Sequence, residues 1–281
     1  MAEEPFTLCR LERATWVVTR PTGLGLYDFA FEPPFTVDHP AYLPHAVTAI
    51  ARLGAADDYP KRYDFFSQLS IRLVHTPEQY ALGSWLPNWY PKLEGITPRS
   101  LWFDRPPSAR EVGDELGWPV FVKGGRQTSK HQRRLCVAES PEDFDRIMGE
   151  WEADPILWWQ GVVCRAWVRL RKVADPSPLL LPMSHEFRSF WYRGNLVGIG
   201  RYWTTVPYGM TDDERRDALR LAAEAVERLG LDFIVIDLAQ TETGSWTVIE
   251  CNDGQDAGYA GVDRAALWRE VVEIDRALVD K

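Results

Sequence analysis

The sequence has few cysteines, no excess of basic residues and no long apolar run. Its four cysteines lie far apart without a CxxC pair, which argues against a zinc site and indicates reduced thiols. Lys and Arg number 32 against 41 Asp and Glu, and the net charge of −9 disfavours a nucleic-acid partner. No apolar stretch reaches the roughly 18 residues of a membrane span, and the N-terminal MAEEPFTLCRLER lacks the apolar core of a signal peptide. We expect a cytoplasmic protein that binds neither nucleic acid nor a membrane.

The length of the chain, 281 residues, allows one large domain or two modest ones. A proline-punctuated connector, PKLEGITPRSLWFDRPPS, occupies residues 91–108. We place a boundary in it near residue 95, which gives an N-terminal substrate or cleft domain over 1–95 and a second domain over 96–281. In the first domain the composition predicts four elements: a strand at 14–20, a helix at 39–55, a strand at 63–75 and a helix over 76–90 that begins with a Thr-Pro cap signal.

The second domain alternates helices with antiparallel hairpins. Helices are predicted at 108–118 and 140–153, each with a serine cap, at 211–230, with a capping box of Thr211 and Glu214, and from about 263 onward. Strands are predicted at 119–125 and within 155–173, and hairpins at 184–203 and 232–252. This mixed order predicts α+β layers and not a doubly wound parallel sheet.

The last hairpin ends in the polar run VIECNDGQDAGY. If its loop is Thr243-Gly244, then Asp237 lies opposite Glu250, and Asn252 points to the same face. Two neighbouring carboxylates repel each other unless a positive group sits between them, and carboxylate and amide oxygens suit Mg²⁺. The alternative is that both acids are ordinary polar residues at strand ends and that Asn-Asp-Gly is a simple turn.

Candidate anion-binding residues lie elsewhere in the same domain. Lys123 ends an apolar strand before Gly124-Gly125, an arrangement that suits phosphate contact. In the first hairpin a Gly194-Asn195 loop would place Arg188 opposite Arg201, a pairing that is favourable when both hold one anion. The alternatives are a solvated basic loop after Lys123 and a surface pair between Glu186 and Arg188.

The chain resembles the ATP-grasp superfamily in an ordered series of segments over about residues 96–260: GITPRSLWF, ELGWPVFVKGG, ILWWQGVV, HEFRSFWYRGNLVG and FIVIDLAQ…WTVIECNDGQDAGY. The EFR segment and the last segment look most like a smaller, less characterised clade. The resemblance implies an ATP-grasp fold, in which two α+β subdomains clasp ATP, preceded here by a small α/β N-terminal domain. It implies ATP and Mg²⁺ as cofactors.

The resemblance also implies roles for individual residues. The catalytic residues are Lys123, at the ATP phosphates, and Arg188, at the γ-phosphate or an acyl phosphate. The remaining positions that it implies are Gln160, Gly161 and Val163 as a hinge that reads adenine, Glu186 near the ribose, Lys130 at phosphate, and Asp237, Glu250 and Asn252 at Mg²⁺. Arg201 is a further candidate for phosphate binding from its expected pairing with Arg188. The chain departs from the family in two respects. It has no clear earlier lysine to pair with Lys123, for which Lys92 is the candidate, and its basic loop lacks a string of glycines.

The activity that this resemblance implies is a carboxylate–amine ligase. A carboxylate of an amino acid, peptide or small acid takes the γ-phosphoryl group of ATP, and an amine acceptor then displaces phosphate. One alternative is a small-molecule or peptide kinase on the same scaffold, and another is a nucleotide-binding protein without catalysis. The sequence does not identify the acid, the amine or the oligomeric state.

Overall fold

The computed structural model describes residues 5–56, 58–129, 132–175, 177 and 179–279. Its first part is a five-stranded sheet with the order β3-β1-β2-β4-β5, in which β2, β4 and β5 run parallel. The strands are β1 (Thr7–Leu11), β2 (Thr15–Thr19), β3 (Val37–Asp38), β4 (Val47–Arg52) and β5 (Ile71–Leu73), and the helices are α1 (Tyr59–Gln68), α2 (Pro77–Ser84) and α3 (Leu86–Leu93). Thr76 caps α2 as predicted, and it also forms a capping box with Gln79.

Two of the predicted elements in this part are wrong. The helix expected at 39–55 is the strand β4, a buried apolar run between two parallel neighbours. The segment expected as a strand at 63–75 starts within the helix α1 and ends with the short strand β5. Asp58 caps α1 by accepting the Lys61 N–H, and Pro60 lies in its first turn. A continuous apolar run fits a helix or a buried strand, and tertiary packing decides between them.

The second sheet is antiparallel throughout, with the order β6-β9-β7-β8. Its elements are β6 (Ser100–Phe103), α4 (Ala109–Leu116), β7 (Val120–Gly124), α5 (Arg133–Cys136), β8 (Val137–Ala138), α6 (Pro141–Trp151) and β9 (Val162–Ala166). The predicted serine caps are confirmed, because Ser108 and Ser140 each accept a backbone N–H of the first helical turn. The strand predicted at 119–125 is confirmed as β7, and it brings Lys123 opposite Val163.

The third sheet carries all three predicted metal residues, Asp237, Glu250 and Asn252. A small ribbon of β10 (Lys172–Ala174) and β11 (Met183–Ser184) precedes it. Its antiparallel order is β13-β12-β14-β15, and its elements are β12 (Glu186–Tyr192), β13 (Asn195–Arg201), α7 (Asp212–Leu229), β14 (Phe233–Gln240), β15 (Trp246–Asp253) and α8 (Arg264–Val279). Both predicted hairpins and the capping box at the start of α7 are confirmed.

Of the two strand registers predicted for the hairpins, one is confirmed and the other is wrong. Asp237 pairs with Glu250 as predicted, although the loop covers residues 241–245 and a bulge after Asp237 restores the alignment. The predicted pairing of Arg188 with Arg201 is wrong. Arg188 pairs with Gly200, because the turn is Arg193-Gly194 with positive φ at both residues and a bulge follows Phe190.

The N-terminal part shares its core with the third sheet. Leu11 and Val17 belong to the same buried cluster as Phe190, Phe233 and Trp268. Helix α3 packs in a separate cluster against α7 and the outer face of β14 and β15. The boundary near residue 95 therefore stays a prediction. In the described part of the chain, no helix is both long enough and apolar enough to cross a membrane.

Candidate functional site

A cavity of about 400 Å³ opens between the second and third sheets. One wall comes from β7 and the end of β9, and the other from β12 and β15, including Lys123, Arg165, Glu186 and Glu250. Among the described residues its lining has five cationic side chains against three carboxylates: Lys123, Arg133, Arg165, Arg169 and Lys172 against Glu186, Glu242 and Glu250. Aromatic and aliphatic side chains complete the walls. A cavity of this composition suits a ligand with an apolar ring and several negative charges.

Lys123 and Glu250 form an ion pair across the cavity wall. The Lys123 side chain is 4% exposed and that of Glu250 is 23% exposed, so the carboxylate is the more accessible partner. A buried ammonium needs a negative neighbour, and Glu250 supplies it from the opposite sheet. The pair joins the two sheets at the cavity, and the phosphate group of a ligand can take the place of the Glu250 carboxylate beside Lys123.

Arg188 and Asp237 form a second, deeper pair. Arg188 donates from Nε and Nη2 to the two oxygens of Asp237 at 2.8 and 2.6 Å, and from Nη1 to the Gly258 carbonyl at 2.8 Å. Burial opposes the charge of Arg188, but the Asp237 carboxylate beside it keeps the pKa of the guanidinium well above its usual value. Neither residue lines the cavity. The positive group that the sequence predicts near these carboxylates is therefore supplied by the protein.

The sequence predicts Asp237, Glu250 and Asn252 as the donors for a metal ion. Among the described residues no three His, Cys, Asp or Glu side chains cluster as a metal site, so the set has two carboxylates and an amide. The Asn252 Nδ2 atom is buried and has no hydrogen-bond partner in the described part of the chain. Rotation of the Asn252 amide by 180° would exchange its nitrogen for its oxygen. Each carboxylate oxygen that accepts a hydrogen bond from Lys123 or Arg188 keeps a second lone pair. Oxygen donors of this kind suit Mg²⁺, and Glu250 is the one of the three that lines the cavity.

Sequence reasoning missed the cavity wall formed by β9 and the residues after it. Ala166, Trp167 and Val168 line the cavity, together with Arg165 before them. Residues 167–169 lie outside any strand, and Leu170 forms an isolated bridge with Thr241. The sequence gives only a weak indication of this wall, namely an apolar run that continues beyond the end of the strand.

The family comparison decides the identity of the fold. The profile of one ATP-grasp domain family, the third family of its clade, matches residues 115–271, which is more than half of the chain. The chain belongs to this ATP-grasp family. Comparison with curated protein sequences found no match.

Several solved structures share this ATP-grasp fold. A RimK domain protein ATP-grasp from Sphaerobacter thermophilus DSM 20745 is similar with a TM-score of 0.55 and 15% identity, over 83% of this chain and 80% of that one. A D-alanine–D-alanine ligase from Bacillus anthracis complexed with ATP has a TM-score of 0.57 at 14% identity, over 82% and 78% of the two chains. The ATP-grasp ligase PsnB, complexed with a minimal precursor, Mg and ADP, has a TM-score of 0.52 at 15% identity, over 87% and 83%. These likenesses confirm the predicted fold.

The ATP-grasp hinge expected at Gln160, Gly161 and Val163 does not line the cavity. Val163 is fully buried within β9, and the other two residues precede the opposite end of that strand. The Gln160 Oε1 atom accepts the N–H groups of Arg126 and Gln127, both at 2.8 Å. Gln160 therefore supports the loop after β7 instead of facing a ligand.

Three further expected residues have other positions. Arg201 donates to the Val206 carbonyl at 3.2 Å and lies outside the cavity lining. Lys92, on α3, is exposed and donates to the Arg228 carbonyl. Lys130 lies outside the described residues. Glu186 does line the cavity, and it accepts a hydrogen bond from Ser184 Oγ at 3.1 Å.

The polar run after Asn252 holds the ATP-grasp sheet to the N-terminal part. Asp253 pairs with the buried His75, whose Nε2 accepts the Phe233 N–H at 3.1 Å. Arg52 donates to three carbonyls of the run, those of Gly254, Gln255 and Ala257, at 2.8 to 3.0 Å. The run has a structural role, because most of its polar side chains are buried against β4, α1 and α2.

Proposed function

We propose that this protein is an ATP-dependent ligase that joins a carboxylate to an amine through an acyl phosphate. The observation that carries the proposal is the ion pair of Lys123 with Glu250 in the wall of a cationic cavity, beside the pair of Arg188 with Asp237. The ATP-grasp family and the ligases among its structural neighbours support it.

In the proposed reaction an oxygen of the substrate carboxylate forms a bond to the γ-phosphorus of ATP, and ADP leaves. The amine nitrogen then attacks the carbonyl carbon, loses a proton, and expels phosphate to form the amide. Lys123 would neutralise a phosphate oxygen, and Glu250, Asp237 and Asn252 would hold Mg²⁺. That ion would supply positive charge at the transferring phosphoryl group.

Arg188 takes a positioning role in this proposal. Its two hydrogen bonds fix both oxygens of Asp237, so the carboxylate keeps one orientation toward Glu250 on the next strand. The backbone at Trp167 and Val168 takes the place of the hinge that the resemblance assigned to Gln160–Val163. It lies outside any strand and lines the cavity, and we propose that its N–H and C=O groups form the hydrogen bonds to adenine.

The substrate class rests on analogy alone. Structural neighbours are named as a D-alanine–D-alanine ligase and as a ligase complexed with a minimal precursor. We therefore propose an amino acid, a peptide or a small acid as the carboxylate substrate.

The test is incubation with Mg-ATP and pools of amino acids, small acids and peptides, with and without hydroxylamine. The expected result is ADP together with a hydroxamate, since hydroxylamine intercepts an acyl phosphate. A stable phosphate ester without hydroxamate would support a kinase and overturn the ligase. A protein without affinity for Mg-ATP would overturn the site itself.

A further inference from the structure

Arg165 is a buried cation whose hydrogen-bond acceptors are all neutral. It is 4% exposed. Nε donates to Ser100 Oγ at 3.1 Å, Nη1 to the Ile249 carbonyl at 2.6 Å, and Nη2 to Thr97 Oγ1 at 2.7 Å. Arg188, the other deeply buried arginine of the site, has a carboxylate as its partner.

The charge balance around Arg165 is incomplete. Burial lowers the pKa of Arg165 to about 10, and the negative charge of Glu250 acts in the opposite direction. Glu250, however, already forms an ion pair with Lys123. Two buried cations thus share one carboxylate at the cavity wall. Burying a cation without a full counter-charge is costly, so this arrangement is suited to a bound anion.

The side chain of Arg165 is placed to meet such an anion. Phe121 pairs with Arg165 and Lys123 pairs with Val163 across β7 and β9, so Lys123 and Arg165 project from the same face of the sheet. Both line the cavity. The three hydrogen bonds of Arg165 use three of the five N–H groups of a guanidinium.

We propose that Arg165 is a nucleotide-binding residue whose guanidinium pairs with the phosphate chain beside Lys123. It thereby supplies the second phosphate-binding cation for which Lys92, exposed on α3 and outside the cavity lining, is misplaced. This inference rests on the proposed function, because it requires that the cavity binds a nucleotide. It adds that Arg165 recognises the phosphates and not the base.

The test compares affinities for ATP and adenosine, measured by calorimetry in the presence of Mg²⁺, between the wild-type protein and Arg165→Met. Charge-assisted hydrogen bonds are strong, so the variant should bind ATP about tenfold to hundredfold more weakly. Its affinity for adenosine should stay within about twofold of the wild type, because adenosine has no phosphate. Arg171→Met is the matched control: Arg171 pairs with Glu214 outside the cavity lining, and its loss should change neither affinity.

A purely structural role for Arg165 gives a different result. It would weaken ATP and adenosine equally, or neither, and either pattern overturns the inference. Replacing a buried charge by an apolar side chain of similar length is often tolerated. If Arg165→Met does not fold, Arg165→Gln gives the same comparison, since its amide can still donate a hydrogen bond.

The failure of this inference is distinguishable from failure of the proposed function. Wild-type protein that binds ATP but forms no hydroxamate with any pool counts against the ligase and leaves the Arg165 comparison valid. Wild-type protein that binds adenosine and ATP equally well overturns the role of Arg165, whatever reaction the protein catalyses.

Discussion

Arg188 and Asp237 face each other on adjacent strands, and the guanidinium holds both oxygens of the carboxylate in the interior of the third sheet. Asp237 is fully buried. Its substitution to Asn would leave Arg188 buried without a counter-charge. We expect Asp237→Asn to lower the free energy of unfolding by about 3 to 5 kcal/mol, the usual effect of breaking a buried ion pair, as measured by denaturant unfolding.

The control for this prediction is Asp114→Asn. Asp114 pairs with Arg110 at 3.5 Å on the surface of α4, where both side chains are more than 70% exposed. Such pairs contribute little, and the change should stay within about 0.5 kcal/mol. Equal effects of the two substitutions would contradict the buried pair. Because Asp237→Asn changes stability, it is a poor probe of metal binding alone.

Glu250→Gln is the cleaner probe of the metal. Glu250 is the more exposed of the two proposed carboxylate ligands, and its loss frees Lys123 without removing the positive charge from the wall. We expect the ratio of ATP affinity with Mg²⁺ to ATP affinity with a chelator to fall by roughly tenfold or more. Calorimetry under both conditions gives this ratio. Glu115→Gln, in a surface pair with Arg99, should leave it unchanged. An unaltered ratio in Glu250→Gln would remove Glu250 from the metal site.

Val168 tests where adenine is read. Val168→Pro removes a backbone N–H from the segment that lines the cavity, whereas Val168→Ala keeps it. We expect the proline variant to bind both ATP and adenosine at least about tenfold more weakly, by loss of a hydrogen bond and of the segment's conformation, and the alanine variant to stay close to wild type. Equal affinities of the two variants would argue against backbone recognition at this position.

The four cysteines should be unreactive in the folded protein. All of them are free and buried. Burial raises the pKa of Cys164 to about 12, and burial together with the charge of Glu32 raises the pKa of Cys9 to about 11. Thiol reagents attack the thiolate, which forms only near or above the pKa. At mildly alkaline pH a colorimetric thiol assay should detect no reactive cysteine in the native protein and all four after unfolding. A rapid native reaction would contradict this burial.

Substitution by alanine at two glycines should change the free energy of unfolding in opposite directions. A Cβ at Gly200 would clash with backbone atoms of Gly261, which cannot move aside cheaply, whereas a Cβ at Gly149 in α6 meets nothing within 4 Å. We expect Gly200→Ala to lower the free energy of unfolding by roughly 2 kcal/mol or more. Gly149→Ala should raise it by about 0.5 to 1 kcal/mol, since alanine favours a helix. Thermal unfolding of both variants checks the signs, and a stabilising Gly200→Ala would show that the chain at Gly261 is not fixed.

The features predicted best from the sequence depend on local chemistry. The serine and threonine caps of α2, α4, α6 and α7 could be predicted because a cap needs only residues three apart. The pairing of Asp237 with Glu250 followed from two strands joined by a short loop. The pairing expected for Arg188 failed because the turn is Arg193-Gly194 and not Gly194-Asn195, and because the bulge after Phe190 then shifts the register back by one residue.

The features predicted worst depend on tertiary placement. Strand β4 has an alanine-rich sequence that resembles a helix, and only its position between two parallel strands makes it a strand. The hinge at Gln160–Val163 lies at the wrong end of β9 because which end of a strand opens into a cavity is decided by the other sheet. Arg165 could not be predicted as a ligand-binding residue, because a lone arginine in a strand gives no sign of its burial.

Arg52 has a consequence for how the chain can be divided. Its three bonds to the carbonyls of the run after β15, and the bond from the Ala51 N–H to the Gln255 side chain, tie the first sheet to the strand that carries Glu250 and Asn252. A fragment that begins at residue 96 would lose every one of these donors. It would also expose to solvent the apolar side chains that pack with Leu11 and Val17. The proposed metal strand therefore depends for its folding on residues encoded some 200 positions earlier.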